Sequence, residues 1–167
     1  MLRIGGTVIV RIQAIINHTI FIDYMKKNKE KEENRAFCKH DLQHSLDVAR
    51  IAYILSLEVG LNLEKEVVYA AALLHDITKW KQYEDGTPHH ESAMIPAKQI
   101  LKDCGFHHAE ISLVLEAIQK HREHQMNQTT FAGILYYADK KSRMCFNCEV
   151  TEACNWSKEK RTSQINY

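Results

Sequence analysis

The chain has 167 residues, enough for one domain to bury a stable core without help from disulfides. Its 22 Lys and Arg residues almost balance its 21 Asp and Glu residues, which argues against a general nucleic-acid or membrane-surface binder. Five cysteines without a recognisable secretory signal are typical of free thiols in a reducing compartment. We therefore expect a cytoplasmic protein.

The N-terminal segment is rich in Ile and Val, but it does not have the pattern of a membrane span. Polar residues interrupt the stretch from 4 to 22, and no run approaches the roughly 20 apolar residues that a span requires. Apolar residues at helical spacing instead predict an amphipathic helix at about 7–28. The charged stretch Lys26–Arg35 is interpreted as a solvated helix end or linker. Residues 1–35 are thus assigned to an N-terminal helix and linker.

The remaining segments show the helical period, and no strand-like alternation persists, so the predicted fold class is all-α. We expect a single-domain bundle of about six helices. After the first, the predicted helices span about 40–58, 62–77 and 90–104, with two more on the apolar stripes at 111–118 and 131–138. Residues 79–88 are expected to form a loop. The predicted domain covers 36–144, and a cysteine-containing tail over 145–167 is expected to pack on it.

The dipeptide His75-Asp76 ends the apolar stretch Val67–Leu74, which otherwise has the composition of a protein core. Carrying a carboxylate and an imidazole into an apolar interior costs several kcal/mol unless they are paired, hydrogen-bonded or bound to a cation. A bound metal ion would supply the compensation. This position therefore requires a physical explanation.

Three further metal-type side chains continue the apolar faces of other predicted helices, namely His44, His121 and Asp139. Each of them alone has an ordinary explanation as a core histidine or a helix-end aspartate. Together with His75 and Asp76 they place five inward ligands on four helices of one small domain. The set predicts a metal site.

The order and spacing of these residues resemble the HD-domain superfamily of metal-dependent phosphohydrolases. The resemblance rests on His44, on Ala71-Ala72-Leu73-Leu74-His75-Asp76 with Lys79 shortly after it, and on Ala138-Asp139. It covers about residues 36–144. It implies an all-α bundle in which His44, His75, Asp76 and Asp139 hold a metal ion.

A subset of that superfamily has two further histidines that hold a second metal ion. The segment Ala117-Ile118-Gln119-Lys120-His121 matches one of them. The other falls on His89 or His90, and the interval counted back from Leu101 favours His89. The resemblance therefore implies one or two divalent transition metal ions, with Asp76 as the candidate bridge. A His and Asp ligand set suits Fe, Mn, Ni, Co or Zn without selecting among them.

The expected reaction is hydrolysis of a phosphate ester or anhydride of a small metabolite or nucleotide by metal-activated hydroxide. Asp76 and Lys79 are the candidate catalytic residues. Lys79 and Arg143 are candidates for binding the substrate phosphate, although each could also be a surface cation near a helix end. The expected partner is thus a small, nucleotide-like phosphorylated substrate. The oligomeric state stays open, and a homodimer is one assembly considered.

Two other functions use the same pocket. The first is a non-catalytic regulatory module that binds a nucleotide and a metal without turnover. The second is a di-iron, oxygen-using oxidase on the HD scaffold, which would need all six ligands.

Cys145, Cys148 and Cys154 form a C-x2-C-x5-C cluster in the tail. A closed zinc or iron–sulfur site needs a fourth ligand, which Cys38 or His40 would have to supply. The alternative is that these cysteines are free thiols that pack the tail or respond to oxidation. His40 lies four residues before His44 and is interpreted as a supporting or helix-start residue.

Overall fold

The computed structural model describes residues 10–123, 127–165 and 167, and these residues form nine α-helices and no strand. The helices are α1 (Val10–Ile16), α2 (Thr19–Lys31), α3 (Leu42–Glu58), α4 (Lys65–Leu74), α5 (Lys79–Asp85), α6 (His89–Ser92), α7 (Met94–Asp103), α8 (His108–Lys120) and α9 (Phe131–Lys141). Three short 3-10 turns follow, at Cys145–Asn147, Thr151–Ala153 and Lys158–Lys160. The all-α fold class predicted from the sequence is confirmed.

The centre of the bundle is α4, which is apolar on almost every side. From Val67 to Leu74 only Tyr69 is not fully buried, as expected for a helix that is hydrophobic all round. The long helix α3 packs against α4 and α9, and α8 packs against both α4 and α9. The residues that directly follow α4 therefore lie in the interior of the helical bundle.

Polar caps fix where the site-bearing helices begin. The carboxylate of Asp41 accepts a hydrogen bond from the backbone N–H of His44 at 2.8 Å and caps α3. The hydroxyl of Thr130 accepts one from the N–H of Gly133 at 3.2 Å and caps α9. Both are preferred N-cap residues. Each cap therefore fixes the residue at which its helix begins.

Gly133 occupies a position in the first turn of α9 where the preceding loop passes very close. A Cβ atom built on this residue would lie 2.0 Å from the backbone carbonyl oxygen of Asn127. That distance is well inside van der Waals contact, and the carbonyl belongs to the main chain. Glycine is therefore required here for close approach of two backbone segments.

The predicted helix at 7–28 is two helices in the structure, and its predicted start lies outside the described residues. The chain leaves α1 at Ile16, and the imidazole of His18 accepts a hydrogen bond from the N–H of Ile20 at 3.2 Å. A side chain in this arrangement acts as an N-cap. The hydrophobic period runs through the break, which is why the sequence pattern did not show it.

The predicted loop at 79–88 was wrong for its first seven residues, which form α5 and end at Gly86 with φ of 80°. The predicted helix at 90–104 is divided into α6 and α7. Glu64 rather than Asn62 precedes α4 as its N-cap residue. These additional short helices account for the difference between the six expected helices and the nine observed.

The charged stretch Lys26–Arg35 is not simply a solvated helix end. Asn28 and Glu32 are 1% and 2% exposed, respectively, and they lie on the same face of the chain as the buried Phe21. Asn28 donates a hydrogen bond from its amide to the carbonyl oxygen of Asp76 at 3.0 Å. One side of this charged segment therefore supports the residues after α4.

A partly buried ionic cluster joins the N-terminal helix to the bundle. Arg11 on α1 contacts the carboxylate of Glu66 at 2.5 Å and that of Glu110 at 2.8 Å, and its guanidinium lies 4.2 Å from the ring centre of Phe106. Glu110 is itself buried. The N-terminal helix is thus attached to α4 and α8 by charge as well as by packing.

We expect Arg11→Met to lower the free energy of unfolding by about 1–2 kcal/mol, because the buried Glu110 loses a charged donor. Chemical denaturation measures the change. The control is Arg50→Met, which removes an exposed pair with Asp47 on α3 and should cost less than about 0.5 kcal/mol. Equal effects of the two substitutions would contradict the role given to Arg11.

The tail after α9 lies against the bundle. The buried hydroxyl of Thr162 donates a hydrogen bond to the carbonyl oxygen of Lys140 at 3.1 Å. The hydroxyl of Tyr167 lies 3.3 Å from the Glu58 carboxylate at the end of α3.

None of the described helices is long and apolar enough to cross a membrane.

Candidate metal centre

Four predicted ligands from three parts of the bundle converge at one point. His44 comes from α3, His75 and Asp76 directly follow α4, and Asp139 comes from α9; their ligand atoms all lie within 4.8 Å of one another. His44 Nε2 is 3.3 Å from Asp139 Oδ1, and His75 Nε2 is 3.1 Å from Asp76 Oδ2. All four residues are buried. We call them the first group.

A second group consists of Asp76, His89 and His121, whose ligand atoms are also within 4.8 Å of one another. His89 opens α6, and His121 directly follows α8. His89 Nε2 lies 3.0 Å from Asp76 Oδ1. Of the two adjacent histidines considered from the sequence, the structure brings His89 into this group. His90 stays outside it, with its Nε2 atom 3.8 Å from the Glu91 carboxylate.

Asp76 belongs to both groups, and its two carboxylate oxygens divide between them. Oδ2 is the atom that approaches His75 and His44, whereas Oδ1 is the atom that approaches His89. Such a carboxylate can contribute one oxygen to each of two neighbouring ions. Asp76 is thus the residue that the two groups share, and its bridging role stays a prediction.

The histidine rings are held so that their Nε2 atoms face the carboxylates. Nδ1 of His75 lies 2.6 Å from the carbonyl oxygen of Ala72, and Nδ1 of His121 lies 2.5 Å from that of Ile118. In both cases Nδ1–H donates to the carbonyl oxygen, so that Nε2 is the nitrogen that would bind a metal ion. Nδ1 of His89 is 2.5 Å from Gln82 Oε1 in the same way. Hydrogen bonds of this kind orient metal-binding histidines.

One buried nitrogen shows that the first group fits a metal ion. His75 Nε2 is completely buried, and it has no aligned hydrogen-bond partner although Asp76 is only 3.1 Å away. An imidazole and a carboxylate that approach without a hydrogen bond have the relative placement of two ligands to a common cation. The donor set of imidazole nitrogen and carboxylate oxygen suits a divalent transition metal. These residues are therefore able to hold one.

The charges of the first group also favour a bound cation. Burial opposes protonation of His75, but the negative charges of Asp76 and Asp139 outweigh it and raise the pKa of His75 to about 10. Burial and the neighbouring His75 lower the pKa of His121 to about 3, which keeps that imidazole neutral. The two buried carboxylates therefore attract one positive charge into the first group. A divalent ion would supply this compensation directly.

Asp76, Asp139, His89 and His121 line a cavity of about 510 Å³, whereas His44 and His75 of the first group do not line it. Six cationic side chains line it, whereas its lining carboxylates are those of Asp76 and Asp139 alone among the described residues. The cations are Arg35, Lys79, Arg122, Lys140, Arg143 and Arg161. The aromatic rings of Phe37, Tyr83 and Trp156 complete the wall. A small anionic molecule with a planar group would match this lining.

Lys79 and Arg143, the predicted phosphate-binding residues, both line this cavity. Lys79 begins α5 and places its amine 3.4 Å from Nδ1 of His89; burial lowers the pKa of this amine, against the opposing charge of Asp76. Arg143 is buried and donates a hydrogen bond to the carbonyl oxygen of Lys39 at 2.7 Å, and its Nη2 atom lies 3.0 Å from Nε2 of His44. Arg143 therefore lies directly beside a ligand of the first group.

Glu32 was not recognised from the sequence as a supporting residue of the site, whereas His40 was interpreted as one. Glu32 accepts hydrogen bonds from the backbone N–H of His40 at 2.8 Å and from the hydroxyl of Tyr83 at 2.7 Å, and it pairs with the His40 ring. His40 Nε2 lies 3.9 Å from Asp76 Oδ2. The spacing of Phe21, Asn28 and Glu32 continues one helix face, and this was the signal that could have identified Glu32 as buried.

Several known proteins are similar to the chain. An uncharacterised protein of Clostridium beijerinckii is 44% identical over 157 residues, which cover 94% of this chain and 99% of that protein. Ribonuclease Y of Nitratidesulfovibrio vulgaris is 31% identical over 122 residues, which cover 73% of this chain but 22% of the ribonuclease. Ribonuclease Y of Mycoplasma capricolum is 27% identical over 128 residues. The chain thus spans about a fifth of the length of these ribonucleases.

A solved structure supports the fold. The crystal structure of a predicted HD superfamily hydrolase from an uncultured Thermotogales bacterium superposes with a TM-score of 0.61 at 23% identity, covering 87% of this chain and 81% of that one. The family model of the HD domain matches residues 41–144, which contain both ligand groups. The chain therefore belongs to the HD-domain family.

Proposed function

We propose that the protein hydrolyses a phosphate ester or anhydride of a small, nucleotide-like metabolite in the cavity beside the two ligand groups. The observation that carries this proposal is the placement of Asp76 between two ligand sets on the wall of a cavity lined by six cations. Bound divalent metals lower the pKa of water and neutralise charge on phosphoryl oxygens. Phosphoryl transfer is the chemistry that needs both effects.

The residues of the site would have separate roles in metal binding and in phosphate binding. His44, His75, Asp76 and Asp139 would hold one ion, and Asp76, His89 and His121 would hold the other. The amine of Lys79 would bind a substrate phosphate beside the second group. Arg143 lies beside His44, and its position on the cavity wall would let it contact a phosphate.

The cavity lining supports a nucleotide-like substrate over a long nucleic acid. Its volume of about 510 Å³ is that of a small-molecule site, and its aromatic side chains offer flat surfaces for a base. The whole chain has a formal charge of only +1, which favours a small ligand over a long polyanion. Because ribonuclease Y proteins are similar to the chain, a short RNA must be included among the substrates that are tested.

A substrate screen tests the proposal. Purified protein is loaded separately with Mn²⁺, Fe²⁺, Co²⁺, Ni²⁺ or Zn²⁺ and incubated with nucleoside mono-, di- and triphosphates, dinucleoside polyphosphates, cyclic nucleotides and a short RNA. We expect phosphate or nucleotide release from a small nucleotide. Ligand-induced stabilisation without product would favour a regulatory module instead, and iron-dependent oxygen consumption would favour an oxidase.

We expect Lys79→Met to lower kcat/KM on the identified substrate by about 10- to 100-fold, because one charged hydrogen bond to phosphate is lost. Steady-state phosphate release measures the change. Lys81→Met is the matched control, since Lys81 lies on the same helix but does not line the cavity. If Lys79→Met retained the wild-type kcat/KM, the role of Lys79 in binding the substrate phosphate would be contradicted.

A further inference from the structure

Two cations of the cavity wall lie beside the second group. The amine of Lys79 is 3.4 Å from Nδ1 of His89, and Arg122 directly follows His121 in the chain. Both cations line the cavity. Because Nε2 of His89 lies 3.0 Å from Oδ1 of Asp76, Lys79 is on the Oδ1 side of the shared carboxylate.

Two other cations lie beside the first group. Nζ of Lys140 contacts Oδ2 of Asp139 at 2.5 Å, and Nη2 of Arg143 lies 3.0 Å from Nε2 of His44. The same His44 nitrogen is 3.8 Å from Oδ2 of Asp76. Positive charge therefore lies beside both oxygens of the shared carboxylate, along the wall that the ligand groups contribute to the cavity.

The amine of Lys140 is held in place by its neighbours. It lies 5.2 Å from the ring centre of Tyr136 and 5.1 Å from that of Trp156, distances at which a cation and an aromatic face attract each other. An ammonium group has three N–H donors, and the contact with Asp139 uses one of them. The other donors can serve an anion bound in the cavity.

The positive charges of this wall act on one another. Burial lowers the pKa of the Lys79 amine, and the charges of Arg122 and Lys140 lower it further, against the opposing charge of Asp76. Among the described residues, Asp76 and Asp139 are the carboxylates that line the cavity. Divalent ions in the two groups would add more positive charge. A ligand with several negative charges would relieve this repulsion.

The number of phosphate oxygens distinguishes the ligands that could fill the site. A phosphate monoester has three non-bridging oxygens, so contact with two metal ions would leave one oxygen for the four cations. A diphosphate ester has five, which would leave three. Guanidinium and ammonium groups bind phosphate oxygens through charged hydrogen bonds. Four cations beside two ion sites therefore match linked phosphates better than a single phosphate.

We propose that the cavity binds a nucleotide with at least two linked phosphates, and that Lys140 and Arg122 bind the phosphate that does not contact the metal ions. This assignment rests on the proposed function, since both place a phosphate beside the two ligand groups. It also narrows that function, because a nucleoside monophosphate would satisfy the proposed hydrolysis but would leave Lys140 and Arg122 without a phosphate.

Calorimetric titration tests the proposal. The protein is loaded with Mn²⁺ and titrated with AMP, GMP and the α,β-methylene analogues of ADP and GDP, in which a methylene group between the phosphates prevents hydrolysis. We expect a diphosphate analogue to bind at least about 10-fold more tightly than its monophosphate, because it gains charged hydrogen bonds. Lys140→Met and Arg122→Gln should each reduce this preference by about 10-fold. Element analysis of each variant checks that its metal is retained.

Lys141→Met is the matched control, because Lys141 is an exposed residue of the same helix as Lys140 and does not line the cavity. It should keep the wild-type preference. Equal affinity for mono- and diphosphates, an unchanged preference in both variants, or no binding of these nucleotides would overturn the proposal, even if another phosphate ester were hydrolysed. A preference for diphosphates without turnover of any nucleotide would instead contradict the proposed hydrolysis and leave this assignment standing.

Discussion

Asp76→Asn is expected to reduce substrate hydrolysis by at least about 1,000-fold and to lower the metal content of both His and Asp groups. The reason is the position of its two oxygens, of which one faces His75 and the other faces His89. The amide replaces one charged ligand atom with an N–H donor, and it removes the negative charge that both sets share. Phosphate release and element analysis on the same preparation measure the two effects.

Single-group variants separate the shared role of Asp76 from an ordinary ligand role. Asp139→Asn should weaken metal binding to the first group, whereas His121→Ala should weaken binding to the second. Asp103→Asn is the control, because Asp103 is an exposed carboxylate on α7 far from either group. If Asp76→Asn lost only as much metal as one single-group variant, the bridging position would be contradicted.

Glu32→Ala should have the second large effect, a loss of about 3 kcal/mol in the free energy of unfolding. The buried carboxylate accepts hydrogen bonds from the His40 backbone and from Tyr83, and its removal leaves these donors without their partner. Because His40 faces Asp76, we also expect turnover to fall by about 10- to 100-fold. Chemical denaturation and steady-state kinetics provide the two measurements.

The effect of Glu32 on stability should depend on pH in a defined direction. Burial alone would raise its pKa, but His40 and Tyr83 outweigh burial and hold the pKa below the ordinary value of 4.5. A carboxylate with a lowered folded-state pKa stabilises the protein above its unfolded-state pKa and loses that contribution as the pH falls through the folded-state value. The stability difference between wild type and Glu32→Gln should therefore shrink in acid.

Glu33→Gln provides the matched control for both measurements, since Glu33 is the exposed neighbour of Glu32. It should leave stability and turnover close to wild type. A Glu32→Gln difference that grows as the pH falls would have the wrong sign for a carboxylate held ionised by its neighbours.

The residues that sequence reasoning placed correctly are those for which periodicity and chemistry agree. The apolar stretch before His75-Asp76 had to be buried, and it forms the innermost helix. His44 and Asp139 continue apolar faces, and both reach the first group. The sequence favoured His89 over His90 without excluding His90. Adjacent residues on a short helix point in different directions, and the break between α6 and α7 at Ala93 is not visible in the sequence.

What the sequence did not reveal depends on contacts between distant segments. Glu32 lies in a strongly charged stretch, and its burial results from packing of α2 on α5, a helix that was itself expected to be a loop. Arg143 was placed near phosphate by its spacing from Asp139, but its bond to the carbonyl oxygen of Lys39 requires two segments that are 104 residues apart. Local propensity carries no information on such pairs.

The close approach at Gly133 gives the metal centre a mechanical link to the protein surface. At a rise of 1.5 Å per residue, Gly133 lies about 9 Å from Asp139 along the axis of α9. A methyl group at position 133 would collide with the carbonyl of Asn127 and would displace α9, which carries Asp139 near its other end. We therefore expect substitutions at positions 127–130 to alter metal binding at Asp139 while every ligand stays unchanged.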